Sequence, residues 1–92
     1  MIDMRGRYLE VTFRKGKPLA AYLYLPRRSN AHSVRTASAG SGIFVDFDSN
    51  DAVLGIEITS PQAITLDTIN RVLRDLGQSA VSAEEIAPLQ AA

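Results

Sequence analysis

The stretch that most constrains the fold is GIFVDFDSNDAVLGIEI, which runs from Gly42 to Ile58. Two apolar runs, rich in β-branched and aromatic residues, flank the four short polar residues at 48–51. Short polar side chains bond to nearby backbone groups and tolerate unusual backbone angles, so they favour turns. β-branched and aromatic residues fit a pleated, half-buried surface. The stretch is therefore predicted to form a β-hairpin.

Two upstream segments alternate with the period of a β-strand. The first covers residues 8–14 and the second covers residues 19–25. The KGKP segment between them is typical of a turn, and Pro26 ends the second strand because proline cannot donate to a ladder. One face of the second strand is predicted to carry Leu19, Ala21, Leu23 and Leu25, with the tyrosines on the other face. With the hairpin, four strands are predicted between about residues 7 and 59.

The segment from residue 27 to residue 41 is polar and built from small side chains. It is predicted to be a loop. Structureless loops of this length are uncommon, so part of it is predicted to extend the third strand around Val34.

A helix is predicted over about residues 66–76. Thr65 is a candidate N-cap, and Gly77 is suited to ending the helix. Ser82 and Glu85 have the spacing of a capping box, which predicts a short second helix over about 83–87. The apolar stripe of the first helix consists of Leu66, Ile69, Val72, Leu73 and Leu76.

These elements predict an α+β fold: a four-stranded antiparallel β-meander with a C-terminal helix packed on one face. A single helix covers only one face of a sheet, so aromatic side chains are left on the other. Small proteins seldom leave a large apolar patch in water. We therefore expect a homo-oligomer or a partner protein to cover this face, with Tyr8, Tyr22, Tyr24 and Phe44 at the interface.

The size and composition of the chain limit the classes of protein it can be. A chain of 92 residues is near the lower limit for a single core, so one domain is expected and dimerisation would help it. The absence of cysteine excludes disulfides and thiolate metal sites. The longest apolar run, at 19–25, is too short to span a bilayer, and the amino terminus lacks the features of a signal peptide. We expect a soluble cytoplasmic protein without membrane contact.

The charge is zero overall but unevenly distributed. Residues 1–45 hold eight Lys and Arg against two acids, and residues 46–92 hold two Arg against eight acids. One interpretation is that the two halves attract each other, within one chain or between chains. In an oligomer, this attraction would favour the basic turn of one chain near the acidic turn of another. The alternative is a nucleic-acid surface on the basic half, with the tyrosines stacking on bases. The residues that would contact phosphates are Arg27, Arg28 and Arg35, with Arg14, Lys15 and Lys17 at the other turn. No nucleic-acid motif accompanies the charge, which favours the first interpretation.

The acidic hairpin turn has nearly the spacing of a calcium-binding EF-hand loop. Asp46, Asp48, Asn50 and Glu57 fall at positions one, three, five and twelve, but position six is Asp51 where the loop needs glycine. The flanks also alternate as strands and not as helices. An acid-rich turn is therefore predicted, with Asp46, Asp48 and Asp51 as weak candidates for a surface ion site. No other metal site and no cofactor are expected.

No set of residues in the sequence has the pattern of a catalytic site. His32 is the only histidine, and no spacing identifies an orienting partner or a nucleophile for it. The serines of the 27–41 segment lack the context of a nucleophile elbow. We therefore expect a protein that is not an enzyme and has no catalytic residues.

The run from Gly42 through Asp46 and Asp48 to Gly-Ile-Glu-Ile at 55–58 resembles the signature of DUF2283, a family of small, uncharacterised prokaryotic proteins. The segment AYLYL at 21–25 is similar to the second strand of that family, and the resemblance covers roughly residues 8–60. The family usually has an acid before its second strand, where this chain has Leu19 or Pro18. It usually has glycine late in the hairpin turn, where this chain has Asp51.

The resemblance implies one DUF2283-like domain over residues 1–92, and it implies a fold more than an activity. Relatives are sometimes encoded beside small toxin-like proteins, which suggests an antitoxin or accessory role. The function expected from the whole sequence is a non-enzymatic protein-interaction module that acts as a homo-oligomer or with a partner protein. The alternative is a nucleic-acid-binding protein that uses the basic N-terminal half.

Overall fold

A computed structural model of the chain describes residues 6–26 and 31–90. Five β-strands precede a single α-helix, and 3₁₀ turns occupy Pro61–Ala63 and Ala87–Gln90. The strands are β1 (Tyr8–Arg14), β2 (Lys17–Tyr24), β3 (Arg35–Gly40), β4 (Ile43–Phe47) and β5 (Val53–Ile58), and the helix is α1 (Leu66–Asp75).

The strands form one antiparallel sheet in the order β1-β2-β5-β4-β3. β1 and β2 form one hairpin, while β3, β4 and β5 follow each other as two more. β5 joins the two groups because it pairs with both β2 and β4. The predicted α+β fold with an antiparallel sheet is therefore confirmed, but a simple meander is wrong, since β2 lies beside β5.

The predicted number of four strands is also wrong, because β3 is a fifth strand within the segment predicted as a loop. In its sequence RTASAG only two alanines alternate with polar residues, which is a weak signal for a strand. It is a strand because its backbone pairs with β4, from Arg35 opposite Phe47 to Gly40 opposite Ile43. As an edge strand with small side chains it contributes little to the core.

A β-bulge in β2 changes which side chains of that strand are buried. Thr12 lies opposite Ala20, but the next residue of β1, Phe13, lies opposite Pro18, so Leu19 has no partner. An extra residue of this kind bends the strand and shifts its alternation. As a result Pro18 is buried and Leu19 is 50% exposed. The prediction that Leu19 shares the buried face is therefore wrong.

The core lies on one side of the sheet, between the strands and the C-terminal third of the chain. The helical stripe is confirmed as core, because Ile69, Val72 and Leu73 are buried and the flanking leucines are partly buried. The strands contribute residues that are almost fully buried: Leu23, Ile43, Val45, Ile56 and Ile58.

α1 has the ends that its sequence predicts. The Thr65 side chain accepts a hydrogen bond from the backbone N–H of Thr68, at 3.1 Å, as an N-cap does. Gly77 follows the helix with a φ of 73°, in the left-handed region where glycine carries no steric penalty. The helix ends at Asp75, one residue before the predicted end.

The helix is not the last element, because the chain beyond it also covers the core face. Val81, Ile86 and Leu89 are buried with the helical residues. Ser82 and Glu85 form the predicted reciprocal capping bonds, at 2.8 and 3.2 Å. Residues 83–86 nevertheless form turns and lead into the 3₁₀ turn, where a short α-helix was predicted. Pro88 lies inside that 3₁₀ turn and cannot continue an α-helix.

Arg7 holds this last segment against the start of the sheet. Its guanidinium donates to the backbone carbonyls of Ser79 and Ala80 and lies 3.6 Å from the carboxylate of Glu85. The side chain of Asn70 on α1 bonds both backbone groups of Val81, at 3.0 and 2.8 Å. These bonds hold α1 and the C-terminal segment over the core face of the sheet. In the described parts of the chain, no element covers the opposite face.

Within residues 6–26 and 31–90, no helix combines the length and the apolar character that crossing a membrane requires.

Candidate functional site

The candidate site is the face of the sheet that points away from α1, which we call the open face. It is formed by alternate residues of each strand, and its centre contains two rows that run across the sheet. One row contains Glu10, Tyr22, Glu57, Phe44 and Ser38, and the next contains Tyr8, Tyr24, Gly55, Asp46 and Thr36. The four aromatic residues predicted for an interface therefore share this face, while their role in an interface remains a prediction.

Three tyrosine rings form one aromatic cluster on the open face. Tyr8 and Tyr24 are directly opposite each other on β1 and β2, and their rings stack at 4.3 Å with an angle of 12°. The ring of Tyr22 meets that of Tyr24 edge to face at 4.6 Å. Tyr8 remains 55% exposed. Aromatic pairs with these geometries stabilise each other beyond their shared burial, so the cluster has a defined shape.

Tyr22 is held across three strands. Its ring lies over Gly55 on β5, where a built Cβ atom would come within 2.6 Å of the tyrosine Oη. Its hydroxyl donates to Oδ2 of Asp46 on β4, at 2.8 Å. The hydroxyl of Thr36 on β3 donates to the other oxygen of the same carboxylate. Sequence reasoning did not predict the contact of Tyr22 with Gly55, although a glycine inside a strand often marks a close approach by another group.

Tyr24 bonds to the neighbouring edge strand. Its hydroxyl donates to Oε1 of Glu10 at 3.3 Å. Partial desolvation, followed by the nearby charges of Glu10 and Tyr8, raises the pKa of Tyr24 above its ordinary value of 10.0. The phenol of Tyr24 is therefore neutral over the whole physiological pH range and remains a hydrogen-bond donor.

A shallow depression of about 250 Å³ lies beside the cluster. Tyr22, Tyr24 and the small residues Thr12 and Ala20 line it, together with the carboxylates of Glu10 and Glu57. Glu57 is exposed and makes no hydrogen bond or ion pair with any residue that the structure describes. The open face is thus both aromatic and acidic at its centre, which suits a partner that brings apolar surface and positive charge.

The three acids considered for an ion site have separate surroundings. Asp46 accepts the hydroxyls of Tyr22 and Thr36. Asp48 accepts the backbone N–H groups of residues 50 and 52, at 2.8 and 2.9 Å, which closes the turn. Asp51 lies 3.3 Å from the guanidinium of Arg35. Among the residues that the structure describes, no three His, Asp or Glu side chains form a group that could hold a metal ion.

The arginines considered for nucleic-acid contact are only partly described. Arg27 and Arg28 lie outside the described residues. Arg35 stacks on the ring of Phe47, with the guanidinium carbon 4.0 Å from the ring centroid, and also pairs with Asp51. His32 is exposed in the segment before β3. The structure thus does not bring Arg35 to the tyrosine cluster, since strand alternation places it on the other side of the sheet from Thr36.

Comparison with known proteins identifies one family. Residues 20–60 match the family model of DUF2283, described as a protein of unknown function. The matched region runs from within β2 to two residues beyond β5 and so contains Tyr22, Asp46 and Gly55. No curated protein and no solved structure matches the chain.

Proposed function

We propose a function from the open face itself, because DUF2283, the family whose model residues 20–60 match, is of unknown function. The protein is a small, non-enzymatic interaction module that acts as a homo-oligomer through this face. The observation that carries the proposal is the cluster of Tyr8, Tyr22 and Tyr24, whose rings contact one another on a face that α1 leaves uncovered. The non-enzymatic character is proposed because the sequence has no recognisable catalytic constellation.

The chemistry of the cluster supports an interaction role. Each enclosed aromatic side chain buries on the order of 150–250 Å², so three adjacent tyrosines supply a large part of an interface core. Tyrosine and other aromatic residues are enriched in such interfaces. The hydroxyls of Tyr22 and Tyr24 are already bonded to Asp46 and Glu10. Rings that are ordered before binding lose less conformational entropy when a partner arrives.

Chain length supports self-association as the form of this interaction. A chain of 92 residues has little core to spare, and covering a face with a second copy adds buried surface. Most soluble homo-oligomers are symmetric, with two-fold dimers the commonest. We propose a homodimer on these grounds. A partner protein, including a toxin-like one, would compete for the same face.

The charge of the open face favours a protein partner over nucleic acid. Glu10, Asp46 and Glu57 lie in the same two rows as the tyrosines. Carboxylates at these positions would repel the phosphates of a strand whose bases stacked on the rings. The nucleic-acid alternative therefore depends on basic residues away from the two rows.

The oligomeric state of the wild type and of a Tyr22→Lys, Tyr24→Lys variant tests the proposal. Light scattering at micromolar concentration should give a dimer or higher oligomer for the wild type and a monomer for the variant, because two desolvated ammonium groups oppose association. Phe13→Lys is the matched control. Phe13 is 50% exposed but lies on the other side of β1 by alternation, so this variant should associate like the wild type.

Two results would contradict the proposal. A monomeric wild type would exclude the homo-oligomer. An oligomer that survives both tyrosine changes would show that another surface mediates association. Far-UV circular dichroism of each variant confirms that a change in mass does not arise from unfolding.

A further inference from the structure

The β1–β2 hairpin carries opposite chemistry at the two ends of its open face. One end holds the stacked pair Tyr8 and Tyr24, with Glu10 bonded to Tyr24. At the other end Arg14 and Lys17 lie directly opposite each other, immediately before the turn. One end is therefore aromatic and acidic, and the other is basic.

Strand geometry places both cations on the open face. Side chains alternate along β1, so Arg14 is on the same side as Glu10 and Thr12. Lys17 is its cross-strand partner and shares that side. Both residues are exposed, and neither has a hydrogen bond or ion pair with the described remainder of the chain. Positive φ values of 54° at residue 15 and 79° at residue 16 give a tight two-residue turn that fixes their separation.

Among the acids of the sheet and of the acidic turn, those with free hydrogen-bonding capacity lie on the open face. Asp48 closes its own turn, and Asp51 pairs with Arg35. Glu57 has no bonding partner in the described ranges, and Glu10 has one oxygen bonded to Tyr24. The open face therefore presents both carboxylates and cations that a second copy can bind.

We propose that the protein forms a two-fold dimer in which the β1–β2 hairpins of both protomers lie face to face and antiparallel. Arg14 and Lys17 of each protomer bind the Tyr8–Tyr24 stack and the carboxylates of Glu10 and Glu57 on its partner. This inference rests on the proposed function. It specifies that a second copy of this chain covers the open face, and it specifies the orientation of that copy.

The dimensions of the hairpin permit this arrangement. The Tyr8–Tyr24 pair and the Arg14–Lys17 pair are six residues apart on β1, a distance of roughly 20 Å at the rise of a β-strand. A two-fold axis over the middle of the hairpin exchanges its two ends. Thr12 and Ala20 lie near this axis and line the depression of about 250 Å³, so the two faces can approach closely there.

The antiparallel orientation is specific because both of its end contacts are favourable. A guanidinium or ammonium over a tyrosine face is attracted by the ring quadrupole, and a nearby carboxylate adds to this attraction. A parallel overlay would place cations on cations and acids on acids, and contacts between like charges oppose association. The same surface thus both attracts a second copy and rejects the wrong orientation.

A charge-exchange experiment tests the inference. One variant carries Glu10→Lys and Glu57→Lys, and the other carries Arg14→Glu and Lys17→Glu. In either homodimer both end contacts become repulsive, so the dissociation constant should rise by about tenfold or more. In a one-to-one mixture both contacts become attractive again, and a heterodimer should form with an affinity near that of the wild type. Sedimentation equilibrium measures the affinities, and native mass spectrometry separates heterodimer from homodimers.

The control variant has the same change of net charge away from the open face. Asp75 and Glu84 are exposed on the last turn of α1 and on the C-terminal segment. An Asp75→Lys, Glu84→Lys variant should dimerise like the wild type. Its mixture with the Arg14→Glu, Lys17→Glu variant should give less heterodimer than the exchanged pair, because only one of the two end contacts is restored.

The outcomes separate this inference from the proposed function. A dimeric wild type whose charge variants remain equally dimeric overturns the inference but leaves the homo-oligomer in place. Weakened variants that do not recover on mixing overturn the pairing of the two ends. A monomeric wild type overturns the homo-oligomer and this inference together. Chemical unfolding of each variant shows that it is folded, and recovery in the mixture shows the same independently.

Discussion

The ring of Tyr22 lies on the backbone of Gly55, at a distance that leaves no room for a Cβ atom. This contact connects the second strand of the chain to the Gly-Ile-Glu-Ile run that ends the hairpin. It also directs the tyrosine hydroxyl to Asp46 on the next strand. Gly55 therefore makes room for an aromatic ring, which explains why a residue with no side chain lies in the central strand of the sheet.

Gly55→Ala should displace the ring of Tyr22 and lower the free energy of unfolding by about 1–3 kcal/mol, because inserting a methyl group into a filled space forces its neighbours out of position. Urea unfolding measures the change. The same substitution in a Tyr22→Ala background is the control and should cost little, since the methyl group then meets no ring. An equal cost in both backgrounds would show that the ring is not the reason for the glycine.

Leu73→Ala should lower the free energy of unfolding by about 2–4 kcal/mol, since Leu73 on α1 is fully buried and truncation leaves a cavity. Leu19→Ala is a matched control at a half-exposed position and should cost much less. Denaturant unfolding measures the loss of stability in both variants, provided that the slope of the unfolding free energy against denaturant concentration is unchanged. A loss below about 0.5 kcal/mol for Leu73→Ala would contradict the placement of α1 over the core.

Asp51→Gly should give a protein about 1 kcal/mol more stable than Asp51→Ala. Asp51 has a φ of 62°, in the left-handed region that glycine adopts without a steric penalty. Both substitutions remove the exposed ion pair with Arg35, so the comparison isolates the backbone. Thermal unfolding of the two variants measures the difference, and equal stability would indicate that the turn relaxes around alanine.

The raised pKa of Tyr24 predicts a loss of stability at high pH. Between the ordinary pKa of 10.0 and the higher pKa of the folded state, the unfolded chain releases a proton that the native chain retains. The contribution of Tyr24 to the free energy of unfolding is therefore complete below pH 10.0. It is lost as the pH rises through the pKa of Tyr24 in the folded state. Absorbance titration of the wild type and of Tyr24→Phe gives the ionisation of Tyr24 by difference, and it should lie above pH 10.0. The ionisation of Tyr24 should move to lower pH in Glu10→Gln, which removes one cause of the raised pKa.

The acidic turn should bind calcium no more tightly than about millimolar. Asp48 already accepts two backbone N–H groups, and the flanking segments are strands that hold Glu57 away from the turn. Calorimetric titration of the wild type with calcium chloride measures this, with Asp48→Asn as the comparison. If the wild type bound calcium with micromolar affinity and Asp48→Asn abolished this binding, the turn would be a calcium-binding loop and the prediction would be wrong.

Local sequence pattern was sufficient to determine the elements whose burial is periodic. The β4–β5 hairpin, the β1–β2 hairpin and α1 all follow from apolar spacing and turn residues within short windows. The shared face of Tyr8, Tyr22, Tyr24 and Phe44 follows from the same alternation. These features depend on neighbours along the chain, so the sequence contains the information needed to predict them.

Only the tertiary structure decided the features that depend on pairing between distant segments. β3 has only two alanines on its inner side, and it becomes a strand because β4 supplies its hydrogen-bond partners. The bulge at Leu19 depends on the register with β1, and the place of β5 between β2 and β4 brings Gly55 under Tyr22. Strand order and register are set by cross-strand hydrogen bonds and packing, which the alternation within a single strand does not encode.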